Sequence, residues 1–167
     1  MEKTMKTAVM LGRREVAIET RPVPVPKAGE VLIRIRSIGI CGSDLHYYSE
    51  GKIGDVAMQT PFILGHEAAG TVVQCGAGVE NVREGDLVAV EAGLPCGKCE
   101  LCRSGHYNLC EKMRFLATPP VDGAFSEYLA YPAEWVWPLP QGMTATEGAL
   151  IEPLAVGIHA AELADAQ

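Results

Sequence analysis

Pro95-Cys96-Gly97-Lys98-Cys99-Glu100-Leu101-Cys102-Arg103-Ser104-Gly105-His106-Tyr107-Asn108-Leu109-Cys110 places four cysteines within fifteen residues, at gaps of two, two and seven. Four thiolates this close in sequence can close a tetrahedron around one zinc ion. Gly97 and Gly105 relieve the tight bends of such a knuckle, and Pro95 stiffens its entry. The alternative is two disulfides in a secreted module. Only six cysteines occur in 167 residues, and the start, with Glu2 and Lys3 before a strand-like stretch, has no signal-peptide core. Zinc is therefore the expected occupant. Cys96, Cys99, Cys102 and Cys110 leave no open position on the ion, so this zinc holds a loop and names no reaction.

Working outward, the bulk composition excludes several classes. Hydrophobic residues make up 48% and charged residues 21%, which suits a globular protein with a real core. A net charge of −7 argues against a nucleic-acid surface, because phosphate binding wants concentrated Lys and Arg. No run approaches the ~20 apolar residues of a membrane helix. The expected location is the cytoplasm, where thiolates bind zinc rather than oxidise.

The first ninety residues read as strands. Thr7 to Leu11 and Glu15 to Glu19 flank a turn at Gly12-Arg13, and Val31, Ile33 and Ile35 alternate with Leu32, Arg34 and Arg36 as a half-buried strand. Further strands are expected at Gly70 to Gln74, Asp86 to Glu91, Phe125 to Tyr131 and Trp135 to Trp137. Many short strands with glycine turns favour a barrel or sandwich, a mainly β fold with short helices. Only the last stretch reads as helical. Thr144 caps a short helix with Glu147 completing a capping box, and Pro153 begins a second helix carrying Leu154, Ile158 and Ala161 on one face. That helix has little chain to pack against, so the sequence is expected to be cut from something longer.

Two further clusters lie outside the knuckle. Cys41-Gly42-Ser43-Asp44-Leu45-His46-Tyr47-Tyr48 joins a thiol, a hydroxyl and an imidazole, and Gly65-His66-Glu67 sets an imidazole beside a carboxylate. Glu152 is a lone acid in an apolar segment. A catalytic zinc commonly takes three ligands from such a set and keeps one position open. Each feature alone has a plainer reading, since a lone His on a turn is more often hydrogen-bonded and a lone Cys more often a small buried hydrophobe. Their conjunction with the knuckle favours a second metal site.

The order Cys41-Gly-Ser-Asp-x-His46, Gly65-His66-Glu67, the four-cysteine knuckle and Glu152-Pro153-Leu154 resembles the zinc-containing medium-chain dehydrogenases, an alcohol dehydrogenase family. Within that family it looks most like the polyol branch of sorbitol and xylitol dehydrogenases. Ala117-Thr118-Pro119-Pro120-x-Asp122-Gly123 and the run from Ile151 to Ala160 strengthen this likeness. The resemblance implies a GroES-like β-barrel catalytic domain over 1–150, with its structural-zinc lobe at 93–112. It also implies that 151–167 begin the connection to a Rossmann nucleotide-binding domain absent from the chain. By resemblance, Cys41, His66 and Glu67 are ligands of a catalytic zinc, and Glu152 ligates it directly or through water. Ser43 and His46 match a proton relay, while Tyr47, Phe115 and Glu152 match substrate contacts.

The implied reaction is oxidation of a secondary alcohol or polyol with hydride transfer to NAD or NADP, in a dimer or tetramer, with two zinc ions per chain. Threonine or aldose dehydrogenases of the same family, and a non-catalytic zinc-binding module, remain alternatives. No cofactor-binding residues are expected in the chain itself. Gly76-Ala77-Gly78 lacks the third glycine and the following helix of a dinucleotide fingerprint, and reads as a turn. Cys75 reads as a buried thiol, His106 as solvated, His159 as packed or hydrogen-bonded, and Trp135 and Trp137 as core and rim.

Overall fold

A computed structural model describes residues 3–165. Chain order is β1 (Thr4–Gly12), β2 (Glu15–Pro22), β3 (Glu30–Ile38), α1 (Gly42–Glu50), β4 (Lys52–Ile53), β5 (Val56–Ala57), β6 (Ala68–Cys75), β7 (Leu87–Val90) and β8 (Gly93–Leu94). It continues with α2 (Glu100–Arg103), β9 (Arg114–Phe115), β10 (Tyr128–Pro132), β11 (Val136–Pro138), α3 (Ala145–Ala149) and α4 (Ile151–Leu163). Single 3₁₀ turns occupy Tyr107–Leu109 and Ala133–Trp135.

The expected mainly β architecture is present, but the principal sheet is open. Five antiparallel strands run in the order β10-β3-β6-β7-β11, while β1-β2, β4-β5 and β8-β9 form separate two-stranded sheets. The β1-β2 hairpin docks through the other edge of β1, where Ala8 N donates to Phe125 O at 2.8 Å and Met10 N to Phe62 O at 2.8 Å. Isolated bridges, Thr7 to Ser126 and Met10 to Phe62, fix the hairpin in place, and the described strands form no closed barrel, which corrects the barrel expectation.

The main core lies on the central strands, with Val31, Ile33, Val72, Val88, Val90 and Val136 almost fully enclosed. The expected strand is half-buried, but Leu32 is as buried as Val31 and Ile33, so both faces at the start of β3 are covered. A smaller cluster of Met10, Tyr47, Phe62 and Leu64 sits beneath α1.

Antiparallel pairing decides where the chemistry collects. Ile38 at the end of β3 stands opposite Ala68 at the start of β6, and Ala69 opposite Ala89 of β7. The segment leaving β3 and the segment entering β6 therefore meet at one end of the sheet. These segments carry Cys41 and His66-Glu67. α3 packs against β3, β6 and β7 near the same end, and α4 follows it.

The helical expectations hold in part. Thr144 caps α3, with Glu147 N donating to its Oγ1 at 3.2 Å and Thr144 N donating back to Glu147 Oε2 at 2.7 Å, a true capping box. α4 starts at Ile151, two residues before Pro153, and none of its residues is buried. α1 was not expected. Its two buried side chains are Asp44 and Tyr47, so it carries no apolar stripe for a periodicity reading to find. Trp135 closes a 3₁₀ turn against the core and Trp137 is exposed on β11, so they do not alternate along one strand. Gly76-Ala77-Gly78 is a turn after β6 with no helix behind it, as expected.

Candidate metal centres

The four knuckle sulfurs converge. Cys99 Sγ lies 3.4 Å from Cys102 Sγ and 3.9 Å from Cys110 Sγ, and Cys96 Sγ lies 3.9 Å from Cys102 Sγ. A tetrahedron of ~2.3 Å zinc–sulfur bonds has edges of ~3.8 Å, so the spacing fits one zinc ion. All six cysteines are free thiols, which removes the disulfide alternative. Without a cation the four cannot ionise together. Backbone N–H groups of Lys98 and Cys99 lower the Cys96 thiol to about 6, while desolvation and hydrogen bonds with Cys99 and Cys110 push Cys102 up to about 12. A divalent ion resolves that conflict by favouring every thiolate at once.

Ligand atoms of Cys41, His66 and Glu67 form a second set, all within 4.8 Å of one another. One ion with bonds of about 2.0–2.3 Å would draw them to tetrahedral separations of ~3.3–3.8 Å, a small adjustment of side chains. His66 and Glu67 are buried and Cys41 is half-buried. One sulfur, one imidazole and one carboxylate suit zinc and leave a tetrahedral position free.

Asp44 organises this centre. Its carboxylate accepts from Cys41 N at 2.9 Å through Oδ2 and from Gly65 N at 2.9 Å through Oδ1, and Oδ1 also stands 4.0 Å from His66 Nδ1. One buried side chain thus ties the Cys41 loop to the His66 loop and faces the imidazole, an outer contact that orients a metal-binding ring. The sequence reading gives Asp44 no role. The available signal was an acid three residues after the residue that caps α1, the spacing of a capping box.

The other expected site residues fall around this centre. Ser43 is half-buried in the first turn of α1, and His46 is exposed one turn on, on the same side of the helix. Phe115 meets His66 edge-on, with ring centroids 5.6 Å apart. Glu152 lies outside the three-residue ligand set. It shares with Phe115, Glu91, Tyr107 and His159 a groove of about 410 Å³. Desolvation raises its carboxyl above the ordinary range, His66 opposes that shift, and Glu67 and Glu91 add to it. Tyr47 is only 3% exposed and packs against Phe62 at 6.4 Å, in the small core cluster instead of an open pocket. His159 is exposed, contrary to expectation, because α4 is not enclosed, and His106 is exposed as expected.

The model of the alcohol dehydrogenase GroES-like domain matches residues 27–141. The chain belongs to this family. The chain is 53% identical to sorbitol dehydrogenase of Bacillus subtilis (strain 168), over 95% of its own length and 45% of that protein. It is 45% identical to the probable D-xylulose reductase A of Emericella nidulans, over 90% of this chain and 42% of that one. Among solved structures it matches an alcohol dehydrogenase from E. coli CFT073 complexed with NADH, at TM-score 0.87 and 33% identity. That match covers 96% of this chain and 46% of that one. The chain therefore spans less than half the length of these relatives. The likeness to zinc-containing medium-chain dehydrogenases, and to their polyol branch, stands. Among the described residues of the domain, no helix is long and apolar enough to cross a membrane.

Proposed function

We propose that this chain is the metal-binding half of a zinc-dependent, NAD(P)-linked dehydrogenase that oxidises a polyol or secondary alcohol to a ketone. The observation that carries the reading is the convergence of Cys41, His66 and Glu67 beside a separate four-thiolate site. Relatives named sorbitol dehydrogenase and D-xylulose reductase support the polyol class, and a similar structure complexed with NADH supports the nicotinamide. In this reading residues 1–150 form the catalytic domain, and 151–167 lead toward the nucleotide-binding part of the enzyme.

When bound, zinc acidifies the alcohol hydroxyl and the nicotinamide accepts the hydride. The chain's own residues handle what remains. Ser43 accepts the hydroxyl proton at Oγ and passes its own proton toward His46, whose exposed ring releases it to solvent. Phe115 covers His66 and keeps water from the ring. Glu152, in the groove beside Phe115, offers a hydrogen-bonding contact to a substrate hydroxyl. Glu67 adds negative charge to the site, which tempers the acidity of the metal.

Metal analysis of the chain tests the sites, and a fusion tests the reaction. In the fusion this chain replaces the matching part of the B. subtilis sorbitol dehydrogenase. Two zinc ions per chain, with NAD-dependent oxidation of sorbitol or xylitol by the fusion, are expected. A folded two-zinc fusion that oxidises threonine or an aldose but no polyol would overturn the substrate class. A chain holding one zinc would overturn the metal reading.

A further inference from the structure

We propose that Gly39 is a positioning residue of the open metal centre: the missing side chain there keeps the Glu67 carboxylate beside Cys41 and His66. The inference rests on the metal reading above. Gly39 follows the last residue of β3, and its N–H donates to Glu67 O at 2.9 Å, continuing the pairing of Ile38 with Ala68 by one step. Gly39 and Glu67 are thus cross-strand neighbours, and the Glu67 side chain folds over the face that Gly39 leaves bare.

Glycine is not needed here for its backbone. Gly39 is absent from the residues with positive φ, which include nearby Gly65 at +90°. Alanine could adopt the same conformation. What alanine could not do is share the space. A Cβ on Gly39 would overlap Glu67 Oε2 and stand 3.0 Å from both Cβ and Cδ of Glu67. Cross-strand Cβ atoms normally lie about 4.5–5.5 Å apart, so this pair is compressed around the glycine. The overlapped atom is the free end of a rotatable side chain. The fold accommodates alanine by turning the carboxylate away and by easing the two segments apart by a few tenths of an ångström at the Glu67 Cβ contact, and the carboxylate then leaves its place beside Cys41 and His66. Two residues later the same segment supplies Cys41, so Gly39 sits between a ligand it shapes and a ligand it precedes.

The test is competition with a chromophoric zinc chelator, which separates the labile open-site zinc from the four-thiolate zinc. Three forms are compared with the unsubstituted chain: Gly39→Ala, Glu67→Ala and the double variant. Gly39→Ala is expected to weaken the open site by ~10–100-fold, the range for outer contacts of metal ligands, and to leave the thiolate site unchanged. Glu67→Ala should lose a similar factor, and the double variant should be no weaker than Glu67→Ala alone. With cobalt in the open site, Gly39→Ala and Glu67→Ala should give the same altered visible spectrum. Parental affinity in Gly39→Ala, or a double variant that loses the product of the two single effects, overturns the inference. So does a Gly39→Ala chain that fails to fold both with and without the Glu67→Ala change. An unsubstituted chain that binds zinc only at the four thiolates overturns the metal reading itself, a result distinct from these.

Discussion

Asp44 bonds two backbone N–H groups 24 residues apart in sequence, those of Cys41 and Gly65, from a position 4% exposed. Asp44→Ala removes both acceptors and leaves buried donors unpaired, at about 1–3 kcal/mol for each. Denaturant unfolding of the metal-free chain should therefore show a loss of at least ~2 kcal/mol by the same reasoning. Open-site zinc affinity should fall as well. A neutral result would mean that the two loops hold themselves. Tyr131 gives a second residue-scale prediction. Its hydroxyl donates to Glu91 O at 2.7 Å, and burial, then the Glu91 charge, raises its pKa from 10.0. A raised folded-state pKa stabilises the protein below pH 10, and that contribution is lost as pH climbs above 10. Tyr131→Phe should cost about 1 kcal/mol at pH 8 and flatten the fall in stability between pH 9 and roughly 11. Identical pH profiles for the two forms would refute the assignment. Local spacing made the knuckle cysteines legible in the sequence, because cysteines three positions apart need only a turn to converge, whereas Cys41, His66 and Glu67 are assigned by family resemblance. Asp44 showed only the capping-box spacing to Cys41, because its second partner, Gly65, is brought near by the fold, and Gly39 acts on Glu67, which is brought near by the β3-β6 pairing.

At the scale of elements, the four-cysteine lobe has little packing of its own to hold it. Between Gly97 and Cys110 only Cys110 is buried, and the neighbouring strands β8 and β9 are two residues each. Structural zinc in such a lobe contributes folding free energy directly. Cys102→Ala should drop the zinc content from two per chain to one and remove amide-exchange protection across 96–110, while β3 and β6 stay protected. Retention of both ions, or unfolding of the whole sheet together with the lobe, would contradict this division. The legibility of elements followed the same logic of locality. The Thr144 capping box announced α3 through residues three apart. α1 escaped because its buried side chains are an acid and a tyrosine. The open sheet escaped because strand order and edge bridges depend on partners far away in sequence.

For the molecule as a whole, stability is concentrated in the sheet and thins toward α4. Ile33 is completely buried, whereas Leu154, Ile158 and Leu163 are 58%, 51% and 77% exposed. α4 touches the rest of the fold chiefly through α3 and β7. A helix of 13 residues without an enclosed face is marginal in water, because nucleation is costly and tertiary packing supplies most helical stability. Amides of 157–163 should therefore exchange with solvent through local fraying, far faster than those of β3 and β6, which should open only on global unfolding. Substitutions should divide the same way. Ile33→Ala, which empties a packed site, should cost about 2–5 kcal/mol. Ile158→Ser should move the unfolding midpoint by no more than ~0.5 kcal/mol, as for an exposed surface position. Hydrogen exchange and urea unfolding of the same preparations would decide it. A cost for Ile158→Ser that approaches that of Ile33→Ala would mean that α4 is enclosed in solution, and would remove the ground for treating it as a helix that adds little to the stability of this chain.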